Sequence, residues 1–260
     1  CSSDLRAERL ARQQIEFVSS VSHELRTPIA VVTAQVDTLI LAREAPEREE
    51  AANRLRRGLT RASRLVNQLL TLARAESGMT LDQLGQPMRV DLVSLAFDTG
   101  AEWVPRALAR GLDLGFEAWP QEATSPGSLQ APVLANVVLL REAINNLLDN
   151  AIKYVPAGGR VTLRAGMEAD AASQWWGVVS VEDNGPGIAL AERDLVFQPF
   201  YRALGSNADG SGLGLAIVQE IAHKHDCELS VNAASDDASM PGVLFGVRFQ
   251  ALAMPKGIAA

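Results

Sequence analysis

Mostly apolar positions recur at spacings of four and three over the first part of the chain. Leu10, Gln14, Phe17 and Val21 lead to Leu25, Pro28, Val32, Gln35, Leu39 and Ala42. That seam predicts a helix over about 5–44, broken at Glu44-Ala45-Pro46-Glu47, where the proline disfavours helix in the residue before it. A second helix is predicted over about 47–75, with Leu55, Leu59, Ala62, Val66, Leu69 and Ala73 on one stripe. Two long amphipathic helices joined by a short turn form an antiparallel hairpin. A hairpin cannot bury both seams alone, so dimerisation into a four-helix bundle is expected. His23 lies about 200° around the helix from Val21 and faces away from the seam with Arg26 and Thr27. The steps four, four, three around Val21 and Pro28 should locally unwind a coil beside it.

The pattern dissolves through Glu76-Ser77-Gly78 and Gly85-Gln86-Pro87. Residues 1–75 therefore read as the hairpin, 76–88 as a linker, 89–252 as a second domain and 253–260 as a tail. In the second domain Val90–Leu92, Leu112–Trp119, Val133–Ala135, Arg160–Ala165, Trp176–Glu182, Leu229–Asn232 and Val243–Ala251 read as strands, with 120–132 as loop. Helices are expected over 93–110 (containing Pro105), over 137–154 behind an N-cap at Asn136, and over 211–225. The fold class is α+β: a helical hairpin, then an α/β sandwich with a mixed sheet packed on three helices.

Composition narrows the function. A net charge of −7 lacks the basic footprint of a nucleic-acid binder. Three histidines, His23, His223 and His225, do not suggest a histidine metal cluster, and Cys1 and Cys227 have no CxxC spacing. No apolar run approaches the ~18–20 residues that span a bilayer. The expectation is a cytoplasmic piece whose charged helical start implies that something upstream is missing.

Three stretches carry candidate chemistry. On the 137–154 helix, Ile144, Leu147, Leu148, Ala151 and Ile152 make the buried side, while Asn146, Asn150 and Lys153 form a polar stripe ending beside Tyr154. Amide oxygens there can complete the shell of a Mg²⁺ held by phosphates; the same stripe could equally be a solvated face. Asp183, at a strand end before Asn184-Gly185-Pro186-Gly187, can accept from an exocyclic amine, although Asp-Asn-Gly is also an ordinary turn. Gly210-Ser211-Gly212-Leu213-Gly214-Leu215 offers bare amides at a helix start. It has neither the Lys-Ser/Thr of a P-loop nor a sixth-position glycine.

Ser22-His23-Glu24-Leu25-Arg26-Thr27-Pro28 resembles the phosphoacceptor box of sensor histidine kinases. The three later stretches, in this order, resemble the N, G1 and G2 boxes of the ATP-binding fold that those kinases share with type II topoisomerases, a heat-shock chaperone and mismatch-repair ATPases. Phe197-Gln198-Pro199-Phe200-Tyr201-Arg202 resembles the kinase F box, which would make 203–209 a lid over the nucleotide. Together they cover residues 15 to 250. The resemblance implies ATP and Mg²⁺, with His23 as phosphoacceptor and Glu24 as the base that aids its attack. It places Mg²⁺ on Asn150 with Asn146 close by, phosphates on Lys153 and Arg202, and adenine against Tyr154 and Asp183. Gly185, Gly187, Gly210, Gly212, Leu213 and Gly214 would shape the pocket.

Hydrolytic relatives carry a water-activating Glu where Asn146 stands, so the resemblance favours phosphoryl transfer to His23 over hydrolysis. Glu24 and Thr27 match the Glu-x-x-Thr pattern used to dephosphorylate a partner; alternatively Thr27 merely caps the proline bend. The implied protein is a homodimer serving a response regulator receiver domain, with no direct nucleic-acid contact. Its full-length form is expected in the bacterial inner membrane, through a sensor region absent from this chain. A hydrolytic ATPase and a non-catalytic scaffold are the alternatives. His225-Asp226-Cys227 departs from the usual His-Gly-Gly, and a slightly strained C-cap without catalytic consequence is expected, with His223 and His225 as helix-end residues.

Overall fold

A computed structural model describes residues 21–22, 25–76, 86–119, 131–202, 211–235, 237 and 240–252. His23, Glu24, Gly210, the expected lid, most of the expected linker and the tail lie outside the described residues. The chain divides into two compact units, Cys1–Ala73 and Arg74–Ala260.

In the first unit, α1 (25–41) and α2 (Ala45–Glu76) form the hairpin. α2 begins two residues before the sequence-based start, because Pro46 falls in its first turn, where a missing N–H costs nothing. Leu25, Pro28, Val32, Gln35, Leu39 and Ala42 are each less exposed than their neighbours, as the seam requires. In α2, Leu59 and Val66 are exposed, while Ala51 and Leu69 are buried along with Gly58. Gly58 lets the helices close up, since the Gln35 side chain occupies the space its Cβ would need. Small residues therefore set the spacing within one hairpin, and two of the larger predicted ones remain uncovered by it.

The second unit contains two sheets. β1 (Met88–Asp91) pairs antiparallel with β3 (Pro132–Ala135). The larger sheet runs β2-β4-β5-β7-β6, comprising Asp113–Trp119, Arg160–Ala169, Trp175–Asp183, Val243–Gln250 and Glu228–Asn232. Only β2 and β4 are parallel in it, so the sheet is mixed. β4 runs four residues beyond its sequence-based end. Asp170 explains this: its side chain accepts from Ala172 N and Gln174 N, closing a tight turn that carries the β4–β5 pairing outward.

Three helices complete the sandwich. α3 (Leu92–Ala109) is capped by Asp91, whose carboxylate accepts from Val93 N, and Pro105 lies inside it as expected. α4 (Val137–Tyr154) is capped by Asn136, which accepts from Val138 N and Leu139 N. α5 (Gly214–Lys224) starts at the third glycine of its loop, so residues 211–213 are not helical. Leu140, Ile144, Leu147, Leu148 and Ile152 of α4 are fully buried with Leu163 and Ile217. α4 thus runs through the core, and its polar residues are carried by a helix whose apolar face is buried.

Candidate nucleotide-binding site

The polar side of α4 is more buried than its pattern suggests. Asn146 is 3% exposed. Its Nδ2 donates to Glu142 O at 2.9 Å and Glu142 Oε1 at 3.1 Å. Both partners there are acceptors, so the amide nitrogen faces them and Oδ1 turns the other way. Oδ1 lies 3.2 Å from where a Cβ on Gly214 would sit. A glycine at that position lets the start of α5 approach the amide oxygen. Asn150, one turn on, is half-buried, and Tyr154 ends the helix at 39% exposure.

Lys153 does not project freely. Its Nζ lies 2.6 Å from Asp149 Oδ2, one turn back, and Arg106 Nη1 of α3 lies 2.9 Å from Asp149 Oδ1. The expected phosphate-facing ammonium is therefore held by a buried carboxylate. Sequence reasoning passed over Asp149, although an Asp four residues before a Lys is a recognisable helical pair. Nothing local in the sequence pointed to Arg106.

The C-terminal end of α4 meets the end of β5. Asp183 is 8% exposed and accepts from Gly185 N at 2.8 Å. Burial pushes its carboxyl up to about 6, against the backbone donors of Gly185 and Val243, which favour the charge. Tyr154 O lies 3.7 Å from the Cβ position of Gly185. Gly187 has φ +78°, and a Cβ there would strike Pro241. Gly242 has φ +62°, donates to Gly185 O, and leaves room for Asp183 O that no side chain would. Pro241 and Gly242 were missed as site residues, though Pro-Gly is a strong turn signal.

The third wall joins residues 197–202 to α5. Phe200 N donates to Gly212 O, Phe200 has φ +64° and Gly212 has φ +71°. A Cβ on Gly212 would lie 2.7 Å from Phe200 C. Tyr201 OH donates to Glu192 Oε1, and Arg202 is exposed at the edge of the described residues. Leu213 is fully buried at the α5 N-cap, and no side chain caps that helix. Its first amides are suited to an anion.

These features suit a nucleoside triphosphate. A buried acceptor bounded by glycine backbone lies at the C-terminal end of α4, and an amide oxygen midway along the helix lies beside an uncapped helix start. No group of three or more His, Cys, Asp or Glu that could hold a metal occurs among the described residues. The Asn146 amide oxygen beside the start of α5 fits a Mg²⁺ that would take most of its oxygens from substrate and water. Thr27 is exposed on α1, in the other unit. His225, the α5 C-cap, accepts from Asn136 N through Nε2 and faces Ile221 O through Nδ1. Asp226 takes φ +50°, the strained cap expected.

The fold and this site define a nucleotide-binding domain of the kinase and gyrase type. Residues 135–254 match the family described as histidine kinase-, DNA gyrase B- and HSP90-like ATPase, and 13–78 match the His kinase A phosphoacceptor domain. The swarming motility regulation sensor protein RssA of Serratia marcescens is 33% identical over 235 residues, covering 89% of this chain and 46% of that protein. The signal transduction histidine-protein kinase/phosphatase MprB of a Mycobacterium species is 35% identical over 253 residues, with 94% and 45% covered. A solved mycobacterial sensor histidine kinase MprB matches at TM-score 0.53 and 30% identity, covering 65% of this chain and 99% of that one. The chain belongs to the sensor histidine kinase family. It spans about half the length of the curated relatives it matches.

Proposed function

We propose that this chain binds ATP with Mg²⁺ and transfers the γ-phosphoryl group to His23, from which it passes to an aspartate of a response regulator receiver domain. The observation that carries the reading is the position of Asp183. It is a buried acceptor at a strand end beside Tyr154, held by backbone donors alone among the described residues, and is placed to accept from a ligand donor such as the adenine amine. Gly185, Gly187 and Gly242 bring backbone close enough for a flat base. Asn150 and Asn146 would hold Mg²⁺, which supplies charge neutralisation and orientation to the phosphates. Lys153, Arg202 and the first amides of α5 would contact phosphates, with Gly210, Gly212, Leu213 and Gly214 shaping that end.

The chemistry needs positioning more than covalent participation. An imidazole nitrogen of His23 attacks the γ-phosphorus, the bond to the β–γ bridging oxygen breaks, and ADP leaves with that electron pair. Glu24 takes the imidazole proton. Asn146 is an amide held by Glu142 and cannot act as a base, so no side chain at that position activates water. Thr27, exposed on α1, would help place water when the phosphorylated regulator is hydrolysed. A relative named kinase/phosphatase supports that second activity. Exposed Leu59 and Val66 support a homodimer through the hairpin. No helix among the described residues is long and apolar enough to cross a membrane. Anchoring in the bacterial inner membrane is assigned to a sensor region outside this chain.

The test is incubation with Mg²⁺ and γ-labelled ATP, parent against His23→Gln. An acid-labile, base-stable label that disappears in the variant supports the proposal. Steady phosphate release without label, unaffected by the variant, would replace it with a hydrolytic ATPase.

A further inference from the structure

Lys153 has a partner arrangement that a simple phosphate-binding lysine does not need. Helical side chains lean toward the N-terminus, and Lys153 reaches back a full turn to Asp149, away from the Tyr154 end and toward Asn146 and Gly214. Asp149 has 6% of its side chain exposed, against 22% for Lys153. Left as a pair, the carboxylate would cancel the ammonium and leave nothing for an anion. A second cation changes that. Arg106, on α3, meets the other carboxylate oxygen at 2.9 Å. Its guanidinium also lies 4.9 Å over the Trp103 ring, and Trp103 Nε1 donates to Asn145 Oδ1 of α4 at 2.8 Å. Arg106 is thus fixed by an aromatic face and by Asp149, and the three charged groups sum to one positive charge.

We propose that Asp149 and Arg106 are positioning residues for the phosphate end of the site. Asp149 aims the Lys153 ammonium along α4, and Arg106 offsets the carboxylate so that the ammonium keeps its charge for phosphate. This rests on the reading of Lys153 as a phosphate-binding residue. A lysine with four rotatable bonds loses much freedom when it binds an anion. The carboxylate imposes that order before the nucleotide arrives, and the α3 cation prevents it from competing with the phosphates. A purely structural bridge between α3 and α4 would affect every ligand equally. The positioning role acts only on ligands with phosphates.

Titration calorimetry of the whole chain with ATP and, separately, with adenosine reads the difference. Lys153→Met tests the underlying reading and should weaken ATP about tenfold while sparing adenosine. Asp149→Asn and Arg106→Met should each weaken ATP by about three- to tenfold, again sparing adenosine, and should add nothing in a Lys153→Met background. Because Arg106→Met lies on the half-exposed side of the cluster, it retains a folded probe if Asp149→Asn does not fold. If Lys153→Met leaves ATP binding unchanged, the phosphate reading and this inference fall together. If Lys153→Met weakens ATP but Asp149→Asn tightens it, Asp149 is a competitor of the phosphates and only the inference is overturned. Equal loss for adenosine and ATP, or an Arg106 effect that persists without Lys153, reduces the cluster to a helix–helix bridge and overturns it too.

Discussion

Two buried carboxylates, one beside the C-terminal end of α4 and one within the helix, handle charge in opposite ways. At the Tyr154 end, Asp183 is buried with only backbone donors around it among the described residues, and burial raises its carboxyl to about 6. Within α4, Asp149 is equally buried yet lies between Arg106 and Lys153. A carboxylate kept for a ligand's donor must stay without a cation, because a cation would take its place. A carboxylate that organises other charges must have them. On the proposed reading, recognition of the base would cost stability in the empty protein, while recognition of phosphate would be assembled from pairs that also hold α3 to α4.

The sharpest way to break this contrast is Asp183→Asn. At neutral pH the folded state holds an ionised carboxylate that would rather be neutral. Moving from 3.8 to about 6 corresponds to about 3 kcal/mol at ~1.4 kcal/mol per pH unit. The variant should lose nucleotide affinity by on the order of 100-fold, since the amide cannot accept from the base as a carboxylate does. It should also melt higher than the parent at pH 7.5. Calorimetry for binding and thermal unfolding for stability check both halves. A variant that binds poorly and is also less stable would mean that Asp183 is a structural residue.

Gly242→Ala should produce the next effect and the opposite pairing. Its φ of +62° disfavours a side chain, and the new Cβ would lie far inside contact distance of Asp183 O. A loss of about 3 kcal/mol in urea unfolding is expected, with weaker nucleotide binding because the same backbone holds Asp183. A smaller effect comes from pH alone. Adenosine, which has no phosphates to titrate, should bind about tenfold more tightly at pH 7 than at pH 5 as Asp183 ionises. Asp183→Asn should flatten that profile.

The sequence made the elements of this pocket legible where a local rule governs them. The Asn136 and α4 pattern, the strand ending at Asp183 and the Gly212 and Gly214 positions follow from capping, alternation and glycine chemistry. What stayed hidden depends on contacts distant along the chain. Arg106 reaches Asp149 from one helix to another, and Gly242 reaches Asp183 from the neighbouring strand. The α2 stripe illustrates the same limit. Periodicity selected Leu59 and Val66 as apolar, but periodicity alone does not say whether α1 or another surface covers them.

The smallest prediction concerns a half-buried base at the α5 C-cap, and Asp183→Asn makes it visible. His225 is held neutral: Nδ1 faces Ile221 O and Nε2 accepts from Asn136 N, the residue that caps α4. Burial lowers its affinity for a proton, Lys224 adds to this, and Ile221 O and Asp226 work against it. For a base with a lowered folded value, the unfolded chain binds the extra proton as pH falls below 6.5, so stability is full above that pH and declines beneath it. Asp183 has the opposite sign, contributing stability below 3.8 that is lost as pH rises to about 6. In the parent the two slopes oppose each other across the overlapping range. In Asp183→Asn the melting temperature should fall as pH drops from 7 toward 5, and the added substitution His225→Gln should reduce that slope. An unchanged slope would show that the bond from Asn136 to His225 does not link the start of α4 to the end of α5 in solution.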